Sequence, residues 1–350
     1  MSFCNIADRT LADVSTADSE PPTMSTPMTD AGSMPGTSSR RGEGLHVVVG
    51  ARGGIGSAVV AMLVRSGRRV RAVTRAANVE VPAAAERAVV DVSTPEGAVA
   101  ACAGAAVVFH CAQPPYHRWP QELPSLTDAI VEGAASAGAK LVMTDNCYAY
   151  GPSNGPLTEG TPVVATTRKG RVRAAMAARL IERHRAGELP VTIGRASDYY
   201  GPGGDSVANA LVFAALAKGR SPRWMGSLDR PHTHAYTPDV AAALIVLADH
   251  DAADGEVWHL PSAEPLTGRA FLALAAEVAG VRAGPKRISP LMNRLGGLFS
   301  PRVREGNEMM YEFTAPFLVD ASKFTNAFGS LAITPHRTAM ADTLSWFRAH

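Results

Sequence analysis

Leu45-His46-Val47-Val48-Val49-Gly50-Ala51-Arg52-Gly53-Gly54-Ile55-Gly56 decides the fold. A short strand-like run leads straight into glycines at every third position, and Ile55, Val59, Met62 and Leu63 then recur at helical spacing. A second strand-like run, 69–74, follows. Gly50 permits the tight turn off the strand, and Gly53 lets backbone approach a pyrophosphate. Gly56 lets the helix pack on the sheet while its N-terminus faces the negative charge. Strand, glycine turn and helix in that order form a dinucleotide-binding signature. Arg52, Gly54 and Ile55 join the three glycines as candidate cofactor residues.

Working outward, strand-like and helix-like segments alternate, with strands expected at 45–49, 69–74, 88–91, 106–110, 140–144 and 191–195. Alternation of this kind predicts an α/β fold: a Rossmann-type, doubly wound parallel sheet with helices on both faces. After Gly201-Pro202-Gly203-Gly204 the pattern changes to helices (208–217, 238–249, 267–279) mixed with short strands near Trp224, Tyr236 and Trp258. We expect a nucleotide-binding domain at 45–200, with 231–260 returning to it. A smaller C-terminal substrate lobe would comprise 201–230 and 261–350, closing over the carboxyl ends of the strands. Residues 1–44 are rich in Ser, Thr, Pro, Asp, Gly and Met without periodicity, which predicts a disordered tail. It lacks the apolar core of a signal peptide, and Met24, Met28 and Met34 offer later starts.

Composition narrows the class of partner. Across 350 residues, 46% are hydrophobic and 19% charged, with a formal net charge of +2, as in ordinary globular enzymes. No apolar stretch has spanning length, so no membrane partner is expected. The basic run Arg168-Lys169-Gly170-Arg171-Val172-Arg173 opens a helix, and nothing suggests a nucleic-acid stripe. Cys4, Cys102, Cys111 and Cys147 show no CxxC spacing, which fits a reducing cytoplasm. His232-Thr233-His234 places two imidazoles together without a third ligand, so no metal is expected. The expected partner is a small-molecule substrate, and the chain is expected to be a monomer or homodimer.

The end of the second strand bears on the nucleotide. Thr74-Arg75 offers a hydroxyl and a guanidinium suited to a 2′-phosphate, where NAD-binding sheets place an acid, and Arg52 could add a second cation. This predicts NADP (NADPH). Asp91 stands where a carboxylate could accept from the adenine amino group, with Val92 beside it.

Further motifs occur in order: Val108-Phe109-His110-Cys111-Ala112, Thr144-Asp145-Asn146-Cys147-Tyr148-Ala149-Tyr150-Gly151, Arg195 through Tyr200-Gly201-Pro202-Gly203, Thr237-Pro238-Asp239-Val240-Ala241 and Asp320-Ala321-Ser322-Lys323. With the glycine turn, they make the chain resemble short-chain dehydrogenase/reductases of the extended or atypical type, the NAD-dependent epimerase/dehydratase-like group. The resemblance covers nearly everything from residue 45 onward. It implies a nicotinamide-dependent reaction in which a Ser or Thr and a YxxxK pair handle the substrate oxygen. It also implies cofactor contacts at Cys111, Ala112, Gln113, Lys169, Arg195 and Ser197.

This sequence departs from that pattern. Lys169 is the natural lysine, yet Ala165 stands four positions before it, and Asn146 occupies the serine position. Asn146, Tyr148, Tyr150 and Lys169 are therefore the candidate catalytic residues, each able to donate to a developing oxyanion. Tyr116, His117 and Trp119 could wall a ring-shaped substrate. Asn146, Tyr148, Asp198, Tyr199 and His232 complete the substrate candidates. Among atypical members the chain is similar to ketoreductases that tailor polyketide antibiotics, including angucyclinone ketoreductases that lack the tyrosine. The leading expectation is thus an NADPH-dependent ketoreductase of antibiotic biosynthesis acting on a bulky apolar ketone. The alternatives are a nucleotide-sugar epimerase or dehydratase, and a non-enzymatic NADP-binding sensor.

Overall fold

Val47 and Val49 pack into one core layer while Val48 packs into another, and Leu141 and Met143 alternate in the same way with Val142. A strand apolar on both sides belongs in the middle of a sheet covered on both faces. In the computed structural model this is what the chain builds. The structure describes residues 40–282, 284, 286–288, 298 and 301–350. The tail expectation therefore falls largely outside the described residues.

The strands in chain order are β1 (Leu45–Val49), β2 (Arg69–Thr74), β3 (Glu86–Val89), β4 (Ala105–His110), β5 (Lys140–Asn146), β6 (Val191–Ala196), β7 (Asp198–Tyr200), β8 (Arg223–Trp224), β9 (Pro231–His232), β10 (His234–Tyr236), β11 (Val257–His259), β12 (Leu266–Thr267) and β13 (Lys286–Arg287). Among the described residues the main sheet has seven strands, ordered β11-β6-β5-β4-β1-β2-β3, with every neighbouring pair parallel. The order reverses direction between β1 and β4, which opens the crevice where α/β folds bind ligands.

The helices are α1 (Gly54–Arg65), α2 (Pro95–Cys102), α3 (Trp119–Ser136), α4 (Arg168–Arg185), α5 (Ala214–Leu216), α6 (Thr237–Asp249) and α7 (Gly268–Ala279), with shorter helices and His336–Ala349 beyond. α1 and α6 cover one face, and α2, α3 and α4 cover the other. Lys140, fully buried at the start of β5, fixes the end of α6. Its ammonium donates to the carbonyls of Leu247 at 2.7 Å and His250 at 2.8 Å, where the helix dipole is negative.

The C-terminal lobe has its own core of Tyr200, Val212, Phe213, Trp224, Phe271 and Met340 with their neighbours. Its segment 311–320 straps back over the carboxyl ends of β5 and β6. Thr233 N donates to Phe317 O at 2.8 Å, and Leu157 N to Leu318 O at 2.8 Å.

Where α4 begins matters most for the site. Thr167 is its N-cap, the hydroxyl accepting from Gly170 N at 3.0 Å, so the helix starts at Arg168. Ala165 precedes the cap and shares no helical face with Lys169. Ala165→Tyr is therefore expected to leave turnover within about threefold of the parent, against the 10²-fold and more that a positioned acid supplies. A tenfold gain in kcat would contradict this placement.

Candidate active site

Three of the glycines are held by the fold itself. A Cβ on Gly50, whose φ is +89°, would lie 2.6 Å from Ala112 N; one on Gly56 would lie 2.3 Å from Gly50 O; one on Gly54 would lie 2.7 Å from Gly204. Gly53 differs. Its φ of −70° suits any residue, and a Cβ there would meet only Gly50 O at 3.5 Å, an ordinary contact. It is also the N-cap of α1 without a side-chain cap, and the first turn carries no acid. The packing of the protein does not require glycine here, although glycine suits a helix N-cap; a pyrophosphate against the backbone does require it. The residues present fit a dinucleotide at this point.

Ile55 is buried at the helix start and Arg52 is exposed on the turn, while Cys111, Ala112 and Gln113 run half-buried past Gly50. Burial pushes the Cys111 thiol up to about 11 against the opposing hydrogen bond with Thr144, which makes it a poor nucleophile at neutral pH. At the adenosine end, Thr74 donates its hydroxyl to Ala76 O at 2.9 Å, and Arg75 is exposed. Asp91 accepts from the amide and hydroxyl of Ser93. These bonds, with the nearby charge of Arg75, hold its carboxyl below the usual range. Val92 is buried beside it.

Several candidates turn out to be fixed within the protein. Tyr150 is buried with its hydroxyl 2.7 Å from His259 Nε2. The imidazole donates its Nδ1–H to Asp320 O, so the phenol donates to Nε2. Arg195 lies over the Tyr150 ring and donates to Asp145 at 2.9 Å, and Ser197 donates to Thr233 O at 2.7 Å. Trp119 is buried with its indole N–H on Pro114 O and with Arg173 4.3 Å from its ring centre. His117 is exposed, and the Tyr199 hydroxyl donates to Asp205 O.

The remaining candidates converge. Asn146, at the end of β5, caps the short turn Cys147–Tyr150 by accepting from Tyr148 N at 3.2 Å, which leaves its amide NH2 free of that role. Tyr148 and Tyr116 are hydrogen-bond partners, and burial raises both phenols above the ordinary tyrosine value. Lys169 is fully buried with its ammonium 4.4 Å from the Tyr116 ring centre. Asp198, just past β6, meets His232 Nε2 at 3.0 Å. A cavity of about 220 Å³ lies alongside, lined by Pro152, Leu157, Tyr311 and Phe317.

Three acids that sequence reasoning missed complete the cluster. Lys169 donates to Glu305 at 2.6 Å and Glu308 at 2.9 Å, while Arg168 holds both oxygens of Glu305 at 2.8 Å. Burial alone would raise the Glu305 carboxyl, but the hydrogen bonds from Lys169 and Arg168 outweigh it and hold it low. Glu312 is buried close by. Glu305, Glu308 and Glu312 lie in three successive short helical segments, Pro301–Gly306, Asn307–Met309 and Tyr311–Thr314, far in sequence from Lys169.

A model of the NAD dependent epimerase/dehydratase family matches residues 46–260. No curated protein matches. Among solved structures, the chain is similar to a UDP-glucose 4-epimerase of Thermotoga maritima with UDP-glucose (18% identity, TM-score 0.72, covering 87% of this chain and 99% of that one). It is also similar to a UDP-glucuronic acid 4-epimerase of Bacillus cereus with UDP-glucuronic acid and NAD (14%, 0.71, 87% and 99%). A third is a dTDP-glucose 4,6-dehydratase of Streptomyces venezuelae with NAD (18%, 0.70, 87% and 97%). At these identities the likeness establishes the fold.

Two expectations are corrected. The predicted NADPH gives way to NAD, the dinucleotide of the family's description and of the similar structures that hold one. In physical terms, the Thr74 hydroxyl is spent on Ala76 O, so Thr74 and Arg75 do not form a joint phosphate clamp. The ketoreductase of antibiotic biosynthesis gives way as well, because the matching family is that of NAD dependent epimerases and dehydratases and the three similar structures named above are two epimerases and a dehydratase. Absence of the tyrosine removes one donor from a site that holds several.

Proposed function

The chain belongs to the NAD dependent epimerase/dehydratase family, and from that premise we propose that it binds NAD along the Gly50–Gly56 turn and acts on a nucleotide-linked sugar as an epimerase or dehydratase. The observation that carries the reading is Gly53, an exposed glycine at the start of α1 whose missing side chain no packing contact requires and which leaves the backbone open to a pyrophosphate. Bound NAD would supply a reversible hydride acceptor for a secondary alcohol of the sugar.

The chain's own residues do the rest. Gly53 and the free amides of the α1 N-terminus take the pyrophosphate, while Asp91 and Val92 stand at the adenosine end. The Asn146 amide is placed to donate to the substrate oxygen, and Tyr116 and Tyr148 form an apolar wall with two hydroxyls at its edge. Lys169, which the family pattern assigns to the cofactor ribose, has to exchange its carboxylate partners to reach it.

A panel of UDP- and dTDP-hexoses incubated with the full chain and NAD, followed by mass spectrometry and chromatography, tests the reading. Formation of an isomer of unchanged mass marks an epimerase, and loss of water marks a dehydratase. Recovery of every sugar unchanged would overturn it. A second reading, an NAD-binding sensor without turnover, is favoured by Ala165 and by the pairing of Lys169, and predicts that last result with NAD still bound.

A further inference from the structure

Glu312 is 1% exposed in the short helix Tyr311–Thr314, and neither of its carboxyl oxygens has a well-formed hydrogen bond among the described residues. A buried carboxyl without partners is costly, and natural proteins rarely keep one without use. Its backbone is held in place. His232 donates its Nδ1–H to Glu312 O at 3.2 Å, and its Nε2 meets Asp198 at 3.0 Å.

The groups that face the side chain all belong to the site. Asp198 comes from β7, Tyr311 from its own helix, Tyr148 and Cys147 from the turn after β5, and Tyr116 from the turn before α3. Among the described residues, Lys169 and Arg168 pair with Glu305 and Glu308 and form no ion pair with it. Burial, with the charge of Asp198 adding to it, raises the carboxyl well above the usual glutamate range, against the pull of the Tyr311 hydroxyl. A buried carboxyl whose hold on its proton is strengthened in this way is equipped to give a proton up and take it back during a reaction.

We propose that Glu312 is the acid–base residue of this site, exchanging the proton of the substrate oxygen in the role that Ala165 cannot fill. The inference rests on the functional reading above. Bound NAD would take up the hydride of the carbinol carbon during oxidation. The O–H proton would pass to Glu312 once Glu312 has released its own proton to solvent, and a carbon–oxygen double bond would form. In the return direction, protonated Glu312 gives the proton back as hydride returns to carbon.

Glu312→Gln and Glu312→Asp in the full chain test this with two readouts. Without cofactor, infrared difference spectra at neutral pH should show a protonated carboxyl stretch in the parent that Glu312→Gln lacks. Identical spectra would overturn the assignment. With NAD and the hexose panel, Glu312→Gln should lose at least about 10²-fold in kcat with NAD affinity unchanged, and Glu312→Asp should restore part of it with a shifted pH profile. Glu312→Gln with kcat within about threefold of the parent and the parent's pH profile would overturn it. A parent that binds NAD but converts nothing overturns the functional reading instead. The infrared result then decides for Glu312 alone: a carboxyl ionised at neutral pH overturns its role as acid, and one that stays protonated upholds it.

Discussion

Gly53→Val is expected to abolish NAD binding while leaving the protein folded. The two effects separate because of where the glycine sits. Its backbone angles are those of an ordinary extended residue, it is exposed, and an added Cβ meets no protein atom closer than an ordinary contact. Valine is a poorer helix cap than glycine, so stability should change by no more than about 1 kcal/mol. The side chain would, however, fill the space that the pyrophosphate backbone approach requires. A loss of at least about 10²-fold in affinity, close to 3 kcal/mol, should appear by calorimetric titration. Gly56→Ala is the contrast: its Cβ would overlap Gly50 O, so fold and binding should fail together. Equal NAD affinity in Gly53→Val and the parent would place the cofactor elsewhere.

Lys169→Met should unfold at a temperature lower by roughly 10 °C, which is the scale of about 3–5 kcal/mol in a domain of this size. Removal of the ammonium leaves Glu305, 8% exposed at its side chain, with Arg168 as its cation, and leaves Glu308 close beside it. Two carboxylates then share Arg168 alone where four charges had balanced. Glu305→Gln with Glu308→Gln in the Lys169→Met background should recover most of the loss. The pH dependence follows from the low carboxyl of Glu305. A depressed value means that the folded state holds fewer protons there than the unfolded chain does. Its stabilisation is complete above the ordinary glutamate range and is lost as pH falls through the lower folded value. The parent should therefore lose this contribution in acid, whereas Lys169→Met should show a flatter acid limb. Equal melting of parent and Lys169→Met at neutral pH would show that the ion cluster contributes nothing.

Much of this architecture was legible because the central strands carry one signal only. Leu45–Val49 and Arg69–Thr74 sit where their apolar runs end in glycine or a charged residue, and the return of the chain near Trp258 joins the sheet edge as Val257–His259. The edge strand was less readable. Expected at 88–91, it pairs instead as Glu86–Val89, because one exposed edge leaves its register to the pairing with β2 rather than to burial. The helix expected at 208–217 is a π turn, Asn209–Phe213, followed by α5. There Asn209 clamps Gly201 and Gly204, a tertiary bond that apolar spacing does not reveal. The site divides in the same way. The glycine turn, Asn146, Tyr148 and Lys169 lie close to the motifs that mark them. Glu305 and Glu308 reach Lys169 from more than a hundred residues away. Ala165 was readable as a missing tyrosine, but only the Thr167 cap reveals that its position lies off the helix.

Hydride transfer itself is the most direct measurement. The full chain, loaded with NAD and mixed rapidly with UDP- and dTDP-hexoses carrying deuterium at the ring carbinol carbons, can be followed by the near-ultraviolet absorbance of reduced nicotinamide. An NAD-dependent epimerase or dehydratase should show that absorbance rise within a single turnover for at least one sugar, more slowly with the deuterated form. Bound NAD that stays oxidised with every sugar, at every pH where the protein is folded, would contradict an enzymatic role for this site.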